Sequence, residues 1–153
     1  MEYFSYIESA YLVQFLPKFS YSLRAQMINP RKIYIIDPGL IRIASASLTD
    51  DKGRMLENFI YGHLGRQKFE LFYFNDHGRE CDFVAMQNGR VVQLIQVCFE
   101  LNPENTVCER QGLKEAMDFF KTDKGLIITY NQTDRYIQEG VEMEVLPAWK
   151  YVT

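Results

Sequence analysis

The sequence predicts a single mixed α/β domain, and three observations lead there. Residues 79–86 and 91–99 are β-rich runs that meet across Gln87-Asn88-Gly89-Arg90, and an Asn-Gly pair tolerates the positive φ angles of a two-residue hairpin turn. Leu56, Phe59, Ile60, His63 and Leu64 recur at helical spacing, as do Leu113, Ala116, Met117 and Phe120, so two amphipathic helices bracket the hairpin. Residues 125–130 have the length and β-branched content of a buried strand. A chain of 153 residues with 47% hydrophobic and 14% aromatic content can bury one sizeable core.

In chain order, Ser5-Tyr6-Ile7-Glu8 has the form of a capping box, which predicts a short helix from Tyr6 to about Tyr11 or Leu12. Residues 12–19 are apolar but interrupted by Pro17, as suits an edge strand. Residues 20–31 read as a connecting loop, and 32–37 as a strand stopped by Pro38-Gly39. These pieces form an N-terminal helix and β extension, residues 1–48, leaning on a core domain of residues 49–153. Thr49, Asp50 or Asp51 caps the first core helix. Glu57 lies at the margin of its buried stripe, where a carboxylate can point into a cleft. Residues 69–74 form the next strand, ended by Asn75-Asp76-His77-Gly78, and the hairpin follows. Asn102-Pro103 is a helix opening, with the helix running to about Lys121. Strands at 125–130 and 141–146 precede Pro147-Ala148-Trp149-Lys150. From residue 53 the order is helix, three strands, helix, strand, strand.

The net charge of −3 and pI near 5.4 argue against strong non-specific nucleic-acid binding, which draws on Lys and Arg to neutralise phosphates. A local basic groove stays compatible with them. Three cysteines without framework spacing indicate a reduced cytoplasmic protein in which Cys81, Cys98 and Cys108 serve as small buried or half-buried side chains. No apolar stretch approaches the ~20 residues a membrane-spanning helix needs, so no membrane partner is expected. No Cys/His spacing resembles a zinc site.

Alternation along the hairpin puts Asp82, Val84 and Met86 on one face, and Val92, Leu94, Gln96 and Cys98 on one face of the partner strand. This frame resembles nucleases of the PD-(D/E)XK type, which carry an Asp on one strand and a Glu and a Lys flanking one residue on the next. Asp82 stands in the Asp position, Gln96 in the Glu position and Cys98 in the Lys position, while Glu57 corresponds to the first-helix Glu of many such enzymes. The resemblance implies a restriction-endonuclease-like α-β-β-β-α-β core, a mixed sheet flanked by helices, with Glu57, Asp82 and Gln96 as ligands for Mg²⁺ or Mn²⁺. Two of the positions carry altered chemistry. The amide of Gln96 brings no negative charge to a hard cation, and the Cys98 thiol is not a cation. Glu80 shares parity with Asp82 and Glu100 with Cys98, and either is a candidate to replace a lost carboxylate. Asp82 reads equally as a strand-end carboxylate paired with Arg79 or Arg90, and Glu57 as ordinary helix solvation. Arg110 and Gln111 lie where related nucleases carry a polar residue facing the cleft, or on a solvated helix face. His63 reads as a core histidine, and His77 is explained by its turn.

The strings AYLVQFLPKFSYSL, NPRKIYIIDPGLI, GRMLENFIYGHL, GRECDFVAM, LIQVCFEL, KGLIITYN and EVLPAWKYV resemble a C-terminal domain of unknown function found downstream of an AAA-type ATPase module in many bacterial and archaeal proteins. The resemblance runs from about Ser5 to Val152. It implies an attached or partner ATPase as the source of any ATP binding, since this chain has no Gly-x-x-x-x-Gly-Lys-Ser/Thr phosphate loop. Three functional readings follow: a nuclease-like domain with a degenerate centre that recognises DNA, RNA or a protein partner; an active Mg-dependent endonuclease; and a structural interaction domain. Aromatic residues near the N-terminus, Phe4, Tyr6, Tyr11, Phe15, Phe19 and Tyr21, suit an interdomain surface better than base stacking, because few basic residues interleave them.

Overall fold

The computed structural model describes residues 6, 8–10, 12–37, 39 and 51–153. Its elements are β1 (Val13–Pro17), α1 (Leu23–Ile28), β2 (Arg31–Ile35), α2 (Lys52–Leu64), β3 (Glu70–Asp76), β4 (Arg79–Gln87), β5 (Arg90–Val97), α3 (Thr106–Phe120), β6 (Lys124–Thr129), β7 (Asp134–Gln138), β8 (Val141–Pro147) and α4 (Ala148–Tyr151). Six strands form a mixed sheet in the order β3-β4-β5-β6-β8-β7, and β1 and β2 pair separately as an antiparallel ribbon. The β3-β4-β5 meander is antiparallel, whereas β5, β6 and β8 run parallel.

The sheet separates two cores. On one face, Leu56, Ile60, Tyr61 and Leu64 of α2 pack with Phe83, Ile95, Val97 and Ile128, together with Leu16 of β1 and Tyr34 of β2. On the other, Leu113, Ala116 and Met117 of α3 pack on Cys81, Val84, Leu94 and Ile127. Burying each Leu or Ile contributes roughly 1.5–3 kcal/mol, so a helix presenting three such residues is anchored mainly by this face. The N-terminal ribbon shares the α2-side core through Leu16 and Tyr34.

Both strand-to-strand turns of the meander have positive φ at two successive residues, His77 and Gly78, then Asn88 and Gly89, the backbone of the tight turn expected at Asn-Gly. Two irregularities refine the alternation. Phe72 pairs with Val84 but Phe74 with Cys81, so β4 carries one extra residue, a β-bulge at Asp82-Phe83. Cys81 and Val84, three apart, therefore reach the same core while Phe83 turns to the other. Likewise Ala85 pairs with Gln93 and Met86 with Val91, which drops Val92 off the face it was expected to share with Leu94 and leaves it 45% exposed.

Several sequence expectations need correction. Residues 20–31 are not all loop, since Ser22 caps α1 by accepting from Ala25 N. Asp51 caps α2, while Thr49 and Asp50 lie outside the described residues. Phe59 and His63 leave the buried stripe, whose members are Leu56, Asn58, Ile60, Tyr61 and Leu64. The helix expected from Asn102-Pro103 begins at Thr106, because Asn102 Oδ1 first caps a turn by accepting from Glu104 N and Asn105 N. β7 was missed, although Glu139-Gly140 supplies the positive φ pair of its hairpin with β8. Cys108 is exposed rather than buried.

Candidate functional site

The site is built where β2, α2 and β4 meet. Alternation in β2 turns Lys32 and Tyr34 inward, leaving Ile33 between them 53% exposed. Lys32 Nζ lies 2.8 Å from Asp82 Oδ1, 2.7 Å from Glu80 Oε1 and 3.0 Å from Glu57 Oε1. The Tyr34 hydroxyl donates to Glu57 Oε1 at 2.6 Å. One ammonium, with three protons to give, thus satisfies one oxygen on each of three carboxylates. A cleft of about 450 Å³ opens beside it, lined in part by Lys32, Glu57, Glu80 and Arg54.

The bulge in β4 explains Asp82. Past Phe83↔Ile95 the paired ladder ends, and the Asp82 side chain takes over its hydrogen bonding, with Oδ2 accepting from Val97 N at 2.8 Å. Asn58 anchors β2 to α2 by accepting from Ile35 N and donating to Ile35 O, each at 2.8 Å. Gly112 of α3 approaches the Glu80 backbone of β4 closely. A Cβ there would lie 2.1 Å from the Glu80 carbonyl oxygen, so only glycine lets α3 sit this close to β4.

Charge balance follows from burial. Burial alone would pull the Lys32 ammonium down, but the Asp82 and Glu57 carboxylates outweigh it and hold it above its ordinary value. Burial pushes Asp82 up to about 7, against the opposing pull of Lys32. Burial, then Glu57, keeps the Tyr34 phenol protonated.

Of the residues expected from sequence, Glu57 and Asp82 converge on Lys32, and Glu80 joins them. Gln96 does not reach the ammonium by any hydrogen bond. Its Oε1 accepts from Asp82 N at 3.3 Å and its Nε2 donates to Glu109 Oε2 at 2.7 Å, so both ends of the amide are engaged. Cys98 stands apart. Its thiol donates to the Glu100 carbonyl, receives Asn105 Nδ2 at 3.4 Å, and is pushed up to about 11 by burial and Glu109. Glu100 is exposed and offers this pocket its carbonyl, not its carboxylate. Asp82 pairs with neither Arg79, which is bound to Glu115, nor the exposed Arg90. Arg110 reaches β7, where it donates to Gln138 and covers the Tyr136 ring at 4.4 Å, and Gln111 is exposed. His63 is half-buried against Tyr151, and His77 is exposed in its turn. Lys32, Tyr34 and Glu109 escaped sequence reasoning. The available signal was Lys and Tyr two residues apart in an otherwise apolar strand.

A divalent cation would need carboxylate oxygens converging on open space. Here one oxygen each of Glu57, Glu80 and Asp82 converges on Lys32 Nζ, and the Gln96 oxygen is turned to a backbone N–H. Among the described residues no group of three or more His, Cys, Asp or Glu is arranged to hold a metal ion. The arrangement therefore does not fit the ion, and the ammonium supplies the positive charge instead.

Comparison with known proteins matches residues 52–151 to the model of a domain of unknown function, DUF4143. The chain belongs to this family. It is 35% identical to an uncharacterized protein of the archaeon Methanocaldococcus jannaschii over 97% of its own length, and 25% identical to an uncharacterized protein of the bacterium Haemophilus influenzae over 97%. Those proteins are longer, and this DUF4143 chain covers 35% and 36% of them. Among its described residues, no helix is long and apolar enough to cross a membrane.

Proposed function

We propose that this DUF4143 chain is a nuclease-like domain of the PD-(D/E)XK type, attached to or partnered by an AAA-type ATPase, in which the hydrolytic centre is degenerate and the domain recognises nucleic acid or a protein partner. The observation that carries this reading is Lys32 Nζ seated within 3.0 Å of Glu57, Glu80 and Asp82. Phosphodiester hydrolysis needs a site that neutralises charge at phosphorus and activates a water. The cation nearest the carboxylates is already neutralised by them, and Gln96 and Cys98 add neither negative nor positive charge. The element order helix, three strands, helix, strand from α2 to β6 supports the nuclease-like ancestry. The additional length of the relatives leaves room in those proteins for an ATPase module.

The test is incubation of the purified chain with single-stranded DNA, duplex DNA and RNA in Mn²⁺. The expected result is no cleavage. Cleavage that Asp82→Ala abolishes would overturn the reading. One observation favours the second reading, an active metal-dependent endonuclease: Glu80 and Lys32 bring to the cluster a carboxylate and a cation that Gln96 and Cys98 lack. Calorimetric Mn²⁺ binding by the unaltered chain, lost in Asp82→Ala, would favour that alternative.

A further inference from the structure

The three parallel strands β5, β6 and β8 discharge into one crevice, whose lining shares only Met55 with that of the cleft beside the carboxylate cluster. Phe99, Tyr130 and Trp149, each one or two residues beyond the carboxyl end of its strand, line a groove of about 970 Å³ whose opposite wall is Lys52 and Phe59 of α2. In open α/β sheets ligands collect outside the carboxyl ends of the strands, because the chain diverges there. The rings are ordered and yet wet. Phe99 and Tyr130 stack with centroids 4.9 Å apart and planes 17° from parallel, and Lys52 Nζ lies 5.4 Å from the Phe99 centroid. Tyr130 is 60% exposed, Trp149 62% and Phe59 45%. Large aromatic surface gathered in a cleft, rather than scattered singly, marks a binding site.

The groove's chemistry selects the occupant. Among the described residues lining it, Lys52 is the one charged side chain, so the groove sets a single ammonium among aromatic faces. Planar rings with an anion attached complement it. Asn131 and Thr153 are the other polar side chains, too few to read base edges or fix one particular nucleotide. Stacking on aromatic faces tolerates any base. We propose that this groove binds single-stranded nucleic acid, with bases stacking on Trp149 and on the Phe99–Tyr130 pair and a phosphate against Lys52. The assignment builds on the recognition reading above but uses none of Lys32, Glu57, Glu80 or Asp82, so the two fail separately.

Trp149 is the protein's one tryptophan, and its fluorescence reports on the groove directly. The full chain is titrated in EDTA with a fifteen-residue oligothymidylate. The expected result is saturable quenching, weakened about five- to 150-fold by Tyr130→Ala, as loss of one stacked base implies. Lys52→Gln, at the exposed start of α2, is expected to weaken binding and to flatten a salt dependence whose log–log slope is near −0.7, one phosphate's worth. Absence of quenching overturns the proposal. So does equal binding of the matching duplex or of thymidine monophosphate, quenching by an apolar helical peptide in place of the strand, or unchanged affinity in both variants. Cleavage of the same strand when Mn²⁺ replaces EDTA counts against the degenerate-centre reading alone.

Discussion

Replacing Lys32 by Met keeps most of the side chain's apolar length and removes its charge. Three carboxylate oxygens lie 2.7, 2.8 and 3.0 Å from Nζ, and unit charges at such separations attract by roughly 6 kcal/mol each at an effective dielectric of about 20. The sum is an overestimate, because the carboxylates repel one another and the Glu80 side chain is 36% exposed. Asp82, with its side chain 8% exposed, is the partner that cannot regain solvation. Protonation sets a ceiling on its cost. With its folded value near 7, taking up a proton caps the Asp82 share of the cost at about 0.4 kcal/mol at pH 7 and about 2.7 kcal/mol at pH 9. Lys32→Met is therefore expected to lose about 1 kcal/mol at pH 7 and about 3 kcal/mol at pH 9, the latter within the range for orphaning one member of a buried pair. Urea unfolding at the two pH values measures both. A loss below about 1 kcal/mol at pH 9, or one that does not shrink toward pH 7, would refute the argument that the ammonium is the cluster's necessary counter-charge.

Asp82 carries a pH dependence of its own: its folded value near 7 exceeds the unfolded ~3.9, so the native state holds more protons between those limits. Stability is expected to fall as pH rises through that window and to level off above it, a slope that Asp82→Asn should largely remove in chemical denaturation run from pH 4 to 8. Gly112→Ala gains helix propensity but puts its Cβ 2.1 Å from the Glu80 carbonyl oxygen. Backbone cannot yield as a side-chain tip can, so a net loss of about 2 kcal/mol is expected in thermal or urea unfolding, and an unchanged or more stable variant would contradict the close approach of α3 to β4.

What could be read from sequence divides along a physical line. The Asn88-Gly89 hairpin, α2, α3 and the buried strands β6 and β8 were legible because local turn chemistry and hydrophobic period decide them. β7 was not, since among Asp134, Arg135, Tyr136, Ile137 and Gln138 none is buried. It is an edge strand held by pairing to β8 rather than by an apolar face. α1 was hidden for a similar reason, having no buried residue. At the site, Glu57, Glu80 and Asp82 could be nominated because a strand frame and a helix margin point them inward. Lys32 is twenty-five residues from Glu57 and fifty from Asp82, and no local pattern reports a contact of that span. The bulge at Asp82-Phe83 was equally silent, although it is what turns Asp82 toward the Val97 N–H.

The cluster's distribution of charge bears on how the N-terminal ribbon docks. β2 is paired to β1 with Lys32 opposite Leu16 and Tyr34 opposite Gln14, and it meets α2 through Asn58 and the Ile35 backbone. A one-residue slip of β2 would turn Ile33 toward Glu57, Glu80 and Asp82 and send Lys32 and Tyr34 to solvent. Three carboxylates would then face one another with no cation, and the Glu57 oxygen would lose both its ammonium and its phenol. Slipping β2 costs more than the apolar contacts alone would impose, because it puts Ile33 where the carboxylates meet Lys32, and the two side chains are opposite in kind. Breaking an ion cluster of this sort is expensive even where its net contribution to stability is small. The carboxylates of α2 and β4 thus select the register of a strand that lies outside the main sheet, and that register in turn places a positive charge at the centre of the cluster.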